Sequence, residues 1–227
     1  GVNGTAPLSY QWLFEGSVIP GASGSAYTIT NVQTSHAGNY AALITNSAGF
    51  TNSMEANLQV VPLAFVPDPC LSNAIRCALG KTAGSLTVPD LSALTCLSAP
   101  NCGMTNLAGL EWASNLQSLQ VGFNKLTDLT PIGGLHALRT LSLENNSVNN
   151  VAPLVGLPNL TGLSLDKNPV ANIEVIAVLS KLERVSLCGL GISDADFLSP
   201  IAGLQDLSLR ENILTDVSFV TNLSLVS

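Results

Sequence analysis

The sequence predicts a mixed fold: a partial all-β sandwich over residues 1–61, then a linker, a helical cap and a solenoid. The solenoid is expected to carry parallel strands on its concave side and short 3-10 or irregular segments on its convex side. Three observations predict this. Residues 91–227 repeat one pattern every 22 residues, residues 68–80 place apolar side chains at helical spacing, and residues 1–61 alternate short strand-like runs with Gly, Ser and Asn turns.

Composition limits the possible functions. The 227-residue chain is 46% hydrophobic and 10% charged, the profile of something that packs. A net charge of −7 with 8 Lys+Arg argues against nucleic acid as a partner, because tracking phosphates needs clustered cations. The longest apolar run, "VVPLAFVP" at 60–67, is broken by Pro and too short to span a bilayer, so no membrane insertion is expected in this fragment and residues 62–67 read as a linker. The opening "GVNGTAPLSY" has no charged start and no apolar stretch, so a targeting segment is expected outside this chain.

In the first 61 residues, Trp12 within "YQW" and Tyr40 within "HAGNYAA" carry a resemblance to immunoglobulin-like domains of the I-set type: Trp12 is similar to their core Trp, Tyr40 to their tyrosine corner. Ala42 stands where a disulfide-bearing domain has Cys, and His36 where Asp is usual; the loss of the disulfide suits a bacterial version. Trp12 comes too early for a whole domain, so its N-terminal strands are expected to be missing. "TNLSLVS" closes the sequence in mid-turn, so the chain reads as a fragment of a longer polypeptide.

Asp68 is a plausible N-cap, Pro69 a first helical residue and Gly80 a stop, with Leu71, Ala74, Ile75, Ala78 and Leu79 on one face. Residues 68–90 therefore read as a helical cap over the open end of the solenoid.

From residue 91 about six turns fit L-x-x-L-x-L-x-x-N-x-L. The Asn column reads Cys102, Asn124, Asn146, Asn168, Leu190, Asn212. Aliphatic residues stand five and three positions before it and two after, as in Leu141, Leu143 and Val148. One such turn buries too little apolar surface to offset the entropy of ordering it, so successive turns must cover one another. An Asn where the chain leaves each strand can satisfy backbone groups that the ladder abandons. The pattern resembles the leucine-rich repeat. "DPCLSNAIRCALGKTAGSLTVPDLSALT" and the following "GMTNLAGLEWASNLQSL" resemble the start and first turn of internalin-type bacterial domains. That resemblance implies a secreted or surface-attached bacterial protein, in a family many of whose members bind other proteins.

Leu190 interrupts the Asn column between Gly189 and Gly191, and Ala195 and Phe197 follow, so a rearranged fifth turn is expected at 188–198. The five cysteines have no paired spacing for zinc. Cys70 and Cys77 are roughly 10 Å apart along one helix, too far for a disulfide. Mostly buried free thiols are expected.

No catalytic, cofactor-binding or metal-binding residue is assigned, and the chain is expected not to be an enzyme. His36 and His136 have no Cys, Ser or acidic partner at a motif spacing; "LGKTAGS" at 79–85 mimics a phosphate loop but has Ile75 where Gly is required; "SDADF" lacks the further acids of a calcium loop. The sequons at Asn145, Asn159 and Asn222 would be idle in a bacterial source.

What remains is the outward face of the parallel strands. The candidate binding face comprises Ser98, Gln120, Ser142, Ser164, Ser186 and Ser208 as a small polar floor, Phe123 as an aromatic anchor, and Glu144, Asp166, Lys167, Arg184 and Arg210 as charged selectors. Trp12, Tyr40, Asn124, Asn146, Asn168 and Asn212 are assigned structural roles. Six strands give a floor of roughly 550 Å², short of the about 800 Å² that each partner buries in a standard interface. The expected function is protein binding or adhesion through the concave face, with a protein or glycan partner, outside the cell or on its surface. The alternative is a structural spacer or an accessory region of a larger secreted enzyme.

Overall fold

The computed structural model describes residues 6–219, and the chain divides into two compact units, Gly1–Pro62 and Leu63–Ser227. The sequon at Asn222 lies outside the described residues.

The first unit is one antiparallel sheet of β1 (Ser9–Phe14), β2 (Ser17–Val18), β3 (Gly38–Asn46), β4 (Gly49–Asn52) and β5 (Ala56–Leu58), in the order β2-β1-β3-β4 with β5 also on β3. Glu15 and Gly16, at φ 47° and 75°, make the two-residue reversal between β1 and β2, the left-handed pair that matches strand twist in a tight hairpin. Register sets Trp12 opposite Ala42 and Phe14 opposite Tyr40, so aromatic and small residues share one face. Phe14 and Tyr40 stack with centroids 4.9 Å apart, and Tyr27 closes on Trp12 and Tyr40 at 6.1 and 6.2 Å. The Tyr40 hydroxyl donates to His36 O at 2.8 Å, and Trp12 Nε1 donates to Gly24 O at 3.0 Å. Where a sandwich was expected, the described residues contain this single sheet. Among the described residues the segment carrying Tyr27 forms no strand.

The second unit begins at Leu63, which bridges to Thr87, with Ala64 N donating to Leu86 O at 2.9 Å. The residues read as a linker from 62 to 67 thus lie, from Leu63 on, within the solenoid unit. Helix α1 (Pro69–Leu79) starts at Asp68, whose Oδ1 accepts from Cys70 N and Leu71 N, and stops at Gly80 with φ 64°. Asp68 Oδ2 accepts from Thr105 N at 2.8 Å, from its hydroxyl at 3.1 Å and from Asn106 N at 3.3 Å, so one buried carboxylate joins the helix start to the first turn. Burial alone would raise its pKa, but the hydrogen bonds from Thr105, Leu71 and Cys70 outweigh it and the pKa is lowered. A short helix α2 (Val88–Ser92), which the sequence reading did not separate from α1, follows a reciprocal cap between Thr87 and Asp90.

Six strands follow: β6 (Cys96–Ser98), β7 (Ser118–Gln120), β8 (Thr140–Ser142), β9 (Gly162–Ser164), β10 (Arg184–Ser186) and β11 (Asp206–Ser208). They form one parallel sheet in chain order. Each middle residue pairs with the one 22 positions on, as in Leu119 with Leu141 and Leu141 with Leu163. These middle residues point inward and join Leu71 and Ile75 of α1 in one continuous core. On the opposite side run 3-10 segments such as Thr130–Ile132 and Ala152–Gly156.

The Asn column works as a backbone ladder between turns. Asn146 Nδ2 donates to Leu143 O in its own turn (2.9 Å) and Val121 O in the turn before (3.0 Å), while Oδ1 accepts from Leu126 N at 3.0 Å. Asn124, Asn168 and Asn212 repeat this arrangement. A second column, which sequence reasoning missed, starts the 3-10 segments: Asn106, Asp128, Asn150, Asp194 and Asp216 each accept from the amide two residues on, at 2.7 to 2.9 Å. The signal was an Asn or Asp recurring every 22 residues, four positions after the first column.

Two expectations are corrected. The fifth turn is not rearranged. β10 and β11 keep the common register, and Gly189 (φ 66°) shares its left-handed position with Asn101, Phe123, Asn145, Lys167 and Glu211. The 3-10 segment Asp196–Leu198 also falls at the position of Thr130–Ile132. The neighbours hold the turn in place, since Asn212 Oδ1 accepts from Leu190 N at 3.0 Å. The local change is Gly191 at φ 76°, matched by Gly103 at φ 77° in the other turn that lacks the Asn. Nor are the cysteines mostly buried free thiols. Cys70 and Cys102 form a disulfide with Cα atoms 6.1 Å apart, Cys77 and Cys96 are exposed, and Cys188 is half-buried. Spacing along one helix ruled out Cys70 with Cys77 but could not see that α1 docks against the first turn.

Candidate recognition face

Strands β6 to β10 bury their middle residue, Leu207 of β11 is half-buried, and the flanking residues lie on the opposite face. On this face a shallow cavity of about 300 Å³ spans β7 to β11. Its rim and floor include Gln120, Ser142, Ser164, Arg184, Ser186 and Ser208 from the predicted set, with Thr140, Gly162 and Asp206 added. Gly162 is the one glycine in the column Cys96, Ser118, Thr140, Gly162, Arg184, Asp206. A Cβ there would lie 3.4 Å from Thr140 Cγ2 and 3.9 Å from Arg184 Nε, so the guanidinium group reaches over the gap the glycine leaves. Sequence reasoning placed this column beside the strip and singled out only Arg184; a glycine between Thr and Arg was the available signal for a depression.

The remaining predicted residues flank the cavity, each held in its own way. Ser98 Oγ donates to Gln120 Oε1 at 3.2 Å. The Glu144 carboxylate lies over Gly122 and accepts from the Ser142 hydroxyl. Asp166 is held most firmly: Oδ1 accepts from Cys188 N at 2.8 Å and Oδ2 from Ser186 Oγ at 2.9 Å, which makes it a brace between turns. Lys167 reaches Glu211 at 3.6 Å and Arg184 reaches Glu183 at 3.3 Å, both pairs in contact with solvent. Arg210 is exposed, and Phe123 stands 53% exposed on a left-handed residue at the end of β7.

Of the two histidines, His36 accepts at Nδ1 from Gln33 N and His136 is exposed in a connection. Among the described residues no three His, Cys, Asp or Glu side chains are grouped to hold a metal ion, and no helix is long and apolar enough to cross a membrane.

Comparison with known proteins supports the solenoid fold. Residues 114–155 match the family model described as leucine-rich repeats in two copies. A stretch of 87 residues, 37% of this chain, is 34% identical to Internalin H of Listeria monocytogenes and spans 16% of that protein's length. The crystal structure of the internalin InlF from the same species is 29% identical with a TM-score of 0.67, covering 70% of this chain and 47% of that one. The functional domain of InlJ, also from Listeria monocytogenes and described as including a cysteine ladder, shares the fold alone. It is 18% identical with a TM-score of 0.58, over 72% of this chain and 42% of that one. The second unit is a leucine-rich repeat solenoid. It is similar to internalins.

Proposed function

We propose that the chain is a non-catalytic protein-binding or adhesion region of a secreted or cell-surface bacterial protein, and that the concave strand face of the solenoid is its recognition surface. One observation carries the reading: the open cavity across β7 to β11, lined by Arg184, whose guanidinium reaches over Gly162, with the exposed Phe123 beyond the end of β7. Backbone-paired strands make a rigid floor, so a partner docks without ordering the receptor. Arg is a residue type that dominates interface energetics and Phe one enriched in interface cores, so Arg184 and Phe123 suit the role, and the bound Asp166 keeps the floor's shape. A floor of roughly 550 Å² is below a standard interface, so Phe123, Lys167 and Arg210 at its margins extend the contact. The similarity to internalins is the ground for proposing a surface location and a protein partner. The first unit we read as part of an immunoglobulin-like module, on the strength of Trp12 in β1 and the Tyr40 hydroxyl bond to His36 O.

The test is a binding screen of the purified chain against arrays of extracellular proteins and glycans, repeated with Phe123→Ala and Arg184→Ala. Each substitution is expected to weaken a true partner about tenfold or more. Wild-type affinity of both variants for every hit contradicts the concave reading.

A further inference from the structure

Four of the five cysteines gather at the α1 end of the solenoid, although they are scattered in the sequence. Cys70 of α1 is bonded to Cys102 of the first turn. Cys77 lies two helical turns further along α1 and opens onto a cavity of about 470 Å³ with both half-cystines. It also opens onto a second cavity, about 610 Å³, whose other wall includes Cys96, the first residue of the edge strand β6. Cys77 and Cys96 are both free and both exposed. Between them the lining includes small side chains, Ala74 and Ala78 on the helix and Ser98 on the strand, beside Leu97 and Gln120.

We propose that Cys77 and Cys96 are a second, oxidisable pair, a dithiol site that closes to a disulfide when it meets a small disulfide oxidant such as glutathione disulfide. Exposure gives the oxidant access to either thiol. One protein thiolate attacks a sulfur of glutathione disulfide, forming a mixed disulfide and releasing one glutathione thiolate. The second protein thiolate then attacks the first protein sulfur and expels the other glutathione. Two protein thiols lose two electrons and two protons, and one glutathione disulfide becomes two glutathione thiols. Closure requires the Cα atoms to come within about 7 Å. The existing Cys70–Cys102 bond already pins the start of α1, and the cavity beside Ala74 and Ala78 leaves space for the last helical turn to settle toward β6. Because Ser98 and Gln120 also line that cavity, oxidation reshapes the first-turn end of the concave face. The inference does not depend on that face binding a partner.

The test treats the full chain with glutathione disulfide, alkylates it under denaturing conditions and digests it with trypsin, which cuts after Arg76, Lys81 and Lys125. The free-thiol titre should fall from three to one, leaving Cys188. The peptide 77–81 should be joined to 82–125, with no glutathione retained. Cys96→Ser should stop at a glutathione adduct on Cys77, and Cys77→Ser at an adduct on Cys96. The thermal midpoint of wild type should rise on oxidation and that of Cys96→Ser should not. Separate glutathione adducts on both residues of wild type, or two thiols that stay alkylatable, overturn the pairing. A 77–81 link that persists in Cys96→Ser also overturns it, because Cys77 would then be exchanging with Cys102.

Discussion

Asn146 shows how one side chain holds two turns together. Its amide satisfies a carbonyl in its own turn, a carbonyl in the turn before and an amide of that earlier turn, all within the core. An apolar replacement strands those groups, at about 1–3 kcal/mol for each one left unpaired. Asn146→Ala is therefore expected to lower the urea-unfolding free energy by at least about 2 kcal/mol, more than the same change at the exposed Asn149. Leu190 offers the converse experiment. In the other turns the column Asn accepts from the amide twenty positions before it, and at Val170 the leucine cannot do so. Leu190→Asn should complete the ladder and stabilise the protein by about 0.5–1.5 kcal/mol; an unchanged or lower midpoint would show that the gap is already satisfied. The Asn column was legible because its spacing never slips, and its role followed from what an amide can donate and accept. The bracing by Asp166 was not legible, since a carboxylate outside the core reads from sequence as a free charge until its neighbours' amides are placed.

At the level of elements, the start of the solenoid depends on polar contacts and one covalent bond. Lys81 and the Thr87 hydroxyl both bond Asp90, and they hold its carboxyl at about 2, below the ordinary carboxylate range. A group with a depressed folded pKa contributes stability above its unfolded value, about 3.9, and loses that contribution as pH falls through the folded one. The difference in thermal midpoint between wild type and Asp90→Asn should thus be full above about pH 5, shrink as pH falls through about 2 and vanish near pH 1. Asp68, also depressed, adds a loss in the same direction. The disulfide closes a sequence separation of 32 residues, so Cys102→Ser is expected to cost about 2–4 kcal/mol in reversible unfolding. Asp68, Pro69 and Gly80 announced α1 because caps are local chemistry. The Cys70–Cys102 bond was hidden because it depends on how a helix docks, and sequence spacing carries no such information. The expected distortion at Leu190 failed for a related reason: adjoining turns that keep their own bonds impose their register on a turn that lacks one.

On the scale of the whole molecule, six parallel strands whose middle residues point inward leave one sheet face open, and the candidate strip lies along it. The sequence specified this face by alternation, but not where it dips. The depression at Gly162 arises from a missing side chain and from Arg184 extending into the space, a relation between adjacent turns. If the face is the recognition surface, a bound partner covers the strand ends and leaves the convex 3-10 segments free. The most direct measurement is hydrogen–deuterium exchange of the solenoid with and without the strongest partner from the binding screen. The account predicts added protection at 118–123, 140–145, 162–167 and 184–189, with none at 110–112 or 152–156. Protection confined to the convex segments, with the strands unchanged, would contradict it.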